Sequence, residues 1–352
     1  MSRPPPSDDD LARALAAYPE LAGAVATPLA GGLINATFAV TAADGGACVL
    51  QRLHPVFAPE IHHNIAAVTE QLRRRGEVAP VLLPSRSGRP WADLGEAGIW
   101  RVMTRVPGVS FDAVQSPAQA RAAGALVGRF HAALADLPYT FQALRGGVHD
   151  TPAHLRTLAQ ALAQHPGHRL FPEVEPLALA LVGAVAELPP LAPAPLRVCH
   201  GDLKFNNLLF AGTGPEDQAQ AVGLIDLDTV GPMALHHELG DAWRSWCNPA
   251  GEERGEPRFD AEIFAASLAG YLESGVALEP AERRNLVVGV EWIALELAAR
   301  FAADALNERY FGWDARRFPA AGEHNLHRAR GQWKLHVAAV AAREQRAALL
   351  LA

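Results

Sequence analysis

The chain has 352 residues, 49% hydrophobic and 20% charged, with a formal net charge of −7 and a pI near 6.1. That apolar fraction excludes wholesale disorder, and the lack of a diffuse basic field argues against nucleic acid or an anionic membrane as the main partner, so any anionic ligand has to be held locally. The three cysteines, odd in number and far apart, suggest no disulfide framework or thiolate metal site; with no stretch of about 18 uninterrupted apolar residues and no apolar run near Met1, a cytoplasmic protein is expected.

From Leu33 to about Val106 the punctuation is that of a small sheet with one helix. Phe38 to Val40 and Cys48 to Leu53 are β-prone runs joined by Ala43-Asp44-Gly45-Gly46, a hairpin signal. Ile61, Ile65, Val68 and Leu72 recur at helical spacing, arginines fill the last turn, and Gly76 supplies a stop. Val81 to Leu83, Pro90 to Leu94 and Ile99 to Val106 read as further strands.

Beyond Pro107-Gly108 the pattern becomes helical. Ser116-Pro117-Ala118-Gln119 reads as a helix start with a capping box, and Leu126, Phe130, Leu134 and Leu137 form its apolar stripe. The proline-rich Leu188 to Pro195 segment is an extended connector into a short strand at Leu196 to Cys199. Another strand follows at Ala221 to Ile225, then long helical patterns around Ile263 to Leu272, Leu286 to Leu306 and Leu326 to Val340.

Two polar clusters follow the two central strands: HGDLKFNNLLF at 200–210 and VGLIDLDTV at 222–230. His200, Asp202 and Asn207 fit the H-x-D-x-x-x-x-N catalytic loop of kinases, and Asp226 after an apolar strand fits the metal-binding aspartate. Phosphoryl transfer from ATP needs Mg²⁺ on hard oxygen ligands, which Asn207 and Asp226 supply, and a carboxylate beside the acceptor hydroxyl, which is Asp202. Lys204 can reach the transferring phosphoryl group as a compact charge, and His200 reads as a brace for the loop. Asp228 either assists the metal or shapes the turn before Gly231-Pro232, and turn-shaping is favoured.

With GLINATFAV at 32–40, VLQRLHPVF at 49–57, NIAAVTEQL at 64–72, WRVMTRVPG at 100–108, ELGDAWR at 238–244, and the late ELAARFAADAL and NLHRARGQWKL, these clusters make the chain resemble the aminoglycoside phosphotransferase and choline kinase superfamily. Within it the chain is most similar to the N-acetylhexosamine 1-kinase group. The resemblance implies an α+β, two-lobed protein-kinase-like fold, with a nucleotide-binding lobe of small sheet plus helix over 1–106 and a larger, mainly helical acceptor lobe over 107–352. It implies that Gly31-Gly32 opens a loop over the nucleotide, with Asn35 and Thr37 near the phosphates. Arg52 falls where the family has its strand cation, and Glu70 is its candidate helix partner, with a plain exposed charge as the alternative. Met103 to Val106, with Thr104 and Val106, is the implied adenine hinge.

For the acceptor, Asp241 and Arg244 stand at i, i+3 on a helix and either face the cleft together or form a surface ion pair. Arg300 and Tyr310 are candidates to hold sugar hydroxyls or an N-acetyl group. Five tryptophans in this half read mostly as core, and the His62-His63 and His236-His237 pairs as structural or surface residues, because adjacent helical residues cannot share one ligand face. The expected activity is ATP- and Mg²⁺-dependent phosphorylation of a hexose or N-acetylhexosamine at its anomeric hydroxyl. The rivals are a kinase for an aminoglycoside, choline or other amino alcohol, and a non-catalytic nucleotide-binding protein, the latter disfavoured because Asp202, Asn207 and Asp226 are all present.

Overall fold

The computed structural model describes residues 5–29, 35–144, 146–251 and 256–352. Helix α1 (Asp8–Ala16) begins at Ser7, whose hydroxyl accepts from the Asp10 N–H while the Asp10 carboxylate accepts from the Ser7 N–H. This closed capping box, with aspartates in the first turn, satisfies the helix start in a segment whose sequence showed no apolar run.

Strands β1 (Thr27–Pro28), β2 (Ala36–Thr41), β3 (Ala47–Arg52), β4 (Ala92–Asp93) and β5 (Ile99–Thr104) form an antiparallel sheet of order β1-β2-β3-β5-β4. Successive strand residues point to opposite faces. Phe38, Val40, Cys48, Leu50, Trp100 and Val102 enter one small core together with Ala14, Tyr18 and Leu21, which places α1 on that face. Thr37, Gln51 and Arg101, cross-strand neighbours, occupy the other face. Two expected strands come out smaller. Val81 to Leu83 contributes one bridge, Leu82 to Met103, and Pro90 to Leu94 shrinks to β4. Pro80, Pro84 and Pro90 bring no N–H and stop both ladders.

Helix α2 (Ile61–Arg74) lays Ile65, Val68 and Leu72 on the main core. The C-terminal part contains α3 (Pro117–Leu134), α4 (Thr151–Gln164), α5 (Phe171–Glu187), α6 (Pro215–Gln218), α7 (Leu235–Trp246), α8 (Ala261–Glu273), α9 (Pro280–Asn307), α10 (Ala321–Ala341) and α11 (Arg343–Leu350). The Ser116 hydroxyl accepts from the Gln119 N–H, but the Gln119 carbonyl takes the Gln115 N–H instead, so only half of the expected box closes. The long α9 is central, with α4, α5, α7 and α10 packed on it. Helices α3 and α8 touch backbone to backbone where Gly124 meets Ser267 and Gly270 meets Arg121, leaving no room for a Cβ.

Two small antiparallel ribbons carry the polar clusters: β6 (Leu196–Cys199) with β9 (Gly231–Ala234), and β7 (Leu208–Phe210) with β8 (Ala221–Leu224). A small antiparallel sheet followed by a helical body, with these ribbons at their junction, is a kinase-like fold. Cys48, Cys199 and Cys247 are free and buried. Among the described residues no helix is long and apolar enough to cross a membrane.

Candidate active site

The first cluster leaves β6 through a turn at Gly201, where φ is 82° and a Cβ would stand 2.7 Å from the Thr229 carbonyl, so a side chain is excluded twice over. Glu238, buried on α7, accepts the His200 N–H at 2.7 Å and the Gly201 N–H at 2.9 Å. Burial works to raise its pKa, but the hydrogen bond and charge of His131 and the neighbouring His200 and Gly201 outweigh this and hold it below the ordinary value. His200 Nε2 lies 2.8 Å from the Ile225 carbonyl, while its Nδ1 faces the Asp202 N–H at 3.3 Å. One ring nitrogen thus faces each cluster, so His200 braces the two clusters against each other. The Trp246 indole donates to Leu203 O at 2.8 Å and the Thr229 hydroxyl to His200 O at 2.9 Å. The loop is thus held from several directions before any ligand arrives.

On this platform Asp202 is partly exposed, with Lys204 Nζ 3.0 Å away. Asn207, closing a 3₁₀ turn, donates through Nδ2 to Asp202 O at 2.8 Å, its backbone carbonyl accepts the Ile225 N–H at 3.0 Å, and its side-chain Oδ1 accepts from no protein group among the described residues. Asp226 adopts left-handed φ 65°, ψ 57°, a conformation costing a non-glycine residue roughly 1–2 kcal/mol. Although Asp226 reaches solvent, the protein crowded around its carboxylate strips away part of its hydration, and this, then the charges of Asp228 and Asp202, push its pKa up to about 6 against the pull of Arg101 and His200. Hard oxygen donors gathered around a carboxylate so disfavoured as an anion fit a divalent cation, which would relieve that repulsion.

Asp228 is not simply a turn residue. It is buried, ion-paired with Arg101 across the cleft, and accepts from Asn35 Nδ2 at 2.7 Å. Asn35 in turn accepts the His54 N–H at 2.9 Å, and Thr37 accepts from Gln51 Nε2 at 3.1 Å, so these two predicted residues stand at the cleft. Gly32 lies outside the described residues. Arg52 and Glu70 do not come together. Alternation along β3 puts Arg52 on the face of Leu50 and Cys48, under α1 and within electrostatic reach of Asp10. Glu70 is half exposed on α2 and pairs with Arg73 and Arg74 of its own helix. At the expected hinge, Thr104 is tied to Val81 through both its N–H and its hydroxyl, whereas the Val106 N–H bonds no protein group among the described residues.

Asp241 and Arg244 are paired on α7 at 2.8 Å, with Arg244 almost wholly buried, so the pair is not a surface one. Burial raises the Asp241 pKa, but the Arg244 charge and hydrogen bonds, then Lys204 and His149, hold it low, which locates the pair beside the Asp202–Lys204 loop. His149, Glu296 and His237 were not legible as site residues. His149 stacks on His237 with centroids 4.5 Å apart, and its Nδ1 lies 3.1 Å from Glu296, which also accepts from the Thr151 hydroxyl at 3.1 Å. Arg300 follows Glu296 by one turn of α9, its guanidinium 6.0 Å from the ring centre of Tyr310 and 5.7 Å from that of Phe311. The one available signal was the i, i+4 spacing of Glu296 and Arg300 within a mainly apolar stretch of α9. His149 sits in a connection with no motif.

Known proteins share this fold. An amicoumacin kinase, solved in complex with AMP-PNP, Ca²⁺ and Ami, is 16% identical over 94% of both chains, with a TM-score of 0.62. A microcompartment-associated aminopropanol kinase is 18% identical over 97% of this chain and 99% of its own, also at 0.62. A choline/ethanolamine kinase family protein from Mesorhizobium loti is 20% identical over 94% and 98%, at 0.56. At such identities the likeness is one of fold. The sequence itself matches the phosphotransferase enzyme family over residues 25–275, more than half of the chain and the stretch that holds both polar clusters. The braced Asp202 loop and the Asp226 turn therefore stand within a recognised family pattern, and this chain belongs to the phosphotransferase enzyme family.

Proposed function

We propose that the protein transfers the γ-phosphoryl group of ATP, with Mg²⁺, to the anomeric hydroxyl of a hexose or N-acetylhexosamine, giving a sugar 1-phosphate. The observation that carries the kinase reading is the convergence of Asp202, Asn207 and Asp226 on one braced site, with Lys204 Nζ 3.0 Å from Asp202. Mg-ATP, when bound, brings the phosphoryl group and the cation that offsets its charge, with Asn207 and Asp226 as the protein ligands. Asp202 orients the acceptor hydroxyl and takes its proton as the new O–P bond forms and the bond to the ADP oxygen breaks. Lys204 compensates the charge on the phosphoryl oxygens. Residues 1–106 hold the nucleotide, with Asn35 and Thr37 near the phosphates and the Val106 N–H, which bonds no protein group among the described residues, donating to adenine. Residues 107–352 hold the acceptor.

Two features favour a neutral polyhydroxylated acceptor over a cationic amino alcohol. Asp241 is already neutralised by Arg244, and Glu296 is already bonded to His149 and Thr151, so neither is an open carboxylate for an ammonium group. Arg300 adds positive charge beside them, and with Tyr310 offers donors to sugar oxygens. The names of the structural neighbours supply the competing reading, an amino alcohol or aminoglycoside, as acceptor.

A coupled ADP-release assay over free sugars, N-acetylated sugars, aminoglycosides and choline separates these readings. Turnover is expected with free hexoses and not with sugars blocked at the anomeric carbon; turnover of the blocked sugars sinks the 1-kinase assignment. Asp202→Asn should lose about 10²–10⁴-fold in kcat while binding ADP as before, and retained turnover refutes the proposed role of Asp202.

A further inference from the structure

The cleft-facing side of the sheet carries a cation that no sequence motif singled out. Arg101 on β5 stands opposite Gln51 of β3, which stands opposite Thr37 of β2, so all three project from the face away from Leu50 and Trp100. The Arg101 side chain is 1% exposed. Its Nε donates to Gln51 Oε1 at 2.9 Å, and its Nη1 is ion-paired with Asp228. Its Nη2 donates to no protein group among the described residues, although a buried guanidinium ordinarily uses more of its five donors. Two residues before Asp228 is Asp226, and the charge of Arg101 is felt there, opposing the rise in its pKa. Beside the same group lies His62, fully buried at the start of α2, with Nε2 lacking any partner among the described residues. Arg52, by contrast, is on the other face of the sheet.

We propose that Arg101, and not Arg52, is the cation that receives the inner phosphates of the nucleotide, with Asp228 and Gln51 as the residues that position its fork. The assignment rests on the kinase reading above and deepens it. Asp228 holds one edge of the guanidinium and leaves the remaining donors directed to the cleft. Because Asp228 and Asp226 share one short turn, a phosphate bound on Arg101 is registered against the metal-binding carboxylate. Gln51 occupies the cleft-facing position of β3 as a neutral donor and acceptor that keeps the guanidinium plane fixed.

The test compares adenosine, AMP and ADP binding by calorimetry in wild type, Arg101→Met, Arg52→Met and Asp228→Asn, with thermal unfolding of each. Wild type is expected to prefer ADP to adenosine. Arg101→Met should reduce ADP affinity about 10–100-fold, the worth of a charge-assisted hydrogen bond, with adenosine affinity unchanged within about twofold. Arg52→Met should keep the wild-type ADP to adenosine ratio. Asp228→Asn should lower that ratio, whereas a purely structural role would move the unfolding temperature and leave the ratio alone. A ratio unchanged in Arg101→Met, or lost in Arg52→Met, overturns the assignment. Should Arg101→Met unfold, Arg101→Lys, which keeps the charge but not the fork, is expected to lower the ratio several-fold, and an unchanged ratio again overturns it. Wild type that does not prefer ADP removes the kinase reading itself, a result distinct from a preference that survives loss of Arg101.

Discussion

Glu238 illustrates how far a single buried side chain can govern a site that it does not line. Both of its oxygens accept backbone N–H groups of the His200–Gly201 turn, and His131 lies beneath it. Glu238→Gln puts an NH₂ against one of those donors, and leaving a buried donor unmet costs about 1–3 kcal/mol. We expect the urea midpoint to fall accordingly and kcat to fall with it, because the turn that carries Asp202 loses its anchor. The pH dependence has a definite sign. A carboxylate held below its ordinary value of 4.5 contributes stability that is fully present above that value and is lost as pH falls through the folded-state pKa. Urea unfolding between pH 7 and 3 should therefore show a steeper acid loss in wild type than in Glu238→Gln; equal slopes would remove this linkage. Residues of this kind are hard to read in sequence. His200, Asp202, Asn207 and Asp226 announce themselves by spacing within two clusters, whereas Glu238, His131 and Arg101 act through contacts made only when distant segments fold together.

Elements with strong local signals were legible, and those depending on partners were not. The β2–β3 hairpin, α2 and α3 follow from turn residues, apolar spacing and caps. Helices α4 and α5 went unread between Leu137 and Leu188, and α5 even contains Pro176 within its span. Its helicity is supported by packing on α9, a contact that periodicity does not report. One slip in strand phase had a larger effect. The expected cation at Arg52 differs from the cleft-facing Gln51 by one position, and one position along a strand exchanges the two faces of the sheet. At the same scale, the α3–α8 crossing depends on Gly124 and Gly270. Gly124→Ala should destabilise the protein by about 1–3 kcal/mol through overpacking, and Gly270→Ala likewise. Because both act on one crossing, the double variant should be less than additive in urea unfolding; strict additivity would show that the two contacts are independent.

Across the whole molecule the proposed function assigns the two substrates to different halves that meet at the ribbons. In that proposal the nucleotide groups come from the sheet and the Asp226 turn, while His149, Asp241, Glu296 and Arg300 come from helices and connections of the second half. This division predicts that His149→Ala raises the acceptor KM about tenfold, by removal of one charge-assisted or buried hydrogen-bond partner, with ADP affinity unchanged. Steady-state kinetics beside ADP calorimetry reads both quantities, and a parallel loss of the two would argue that His149 supports the fold alone.

The buried cysteines have a practical consequence. Burial pushes the thiols of Cys48, Cys199 and Cys247 up, furthest at Cys199 and Cys247, so neither access nor thiolate is on offer at neutral pH. Ellman's reagent should therefore titrate almost nothing in the native protein and all three thiols in urea. A cysteine introduced at an exposed site such as Val25 would then take a fluorophore alone, giving a silent background on which movements between the two halves can be recorded by light.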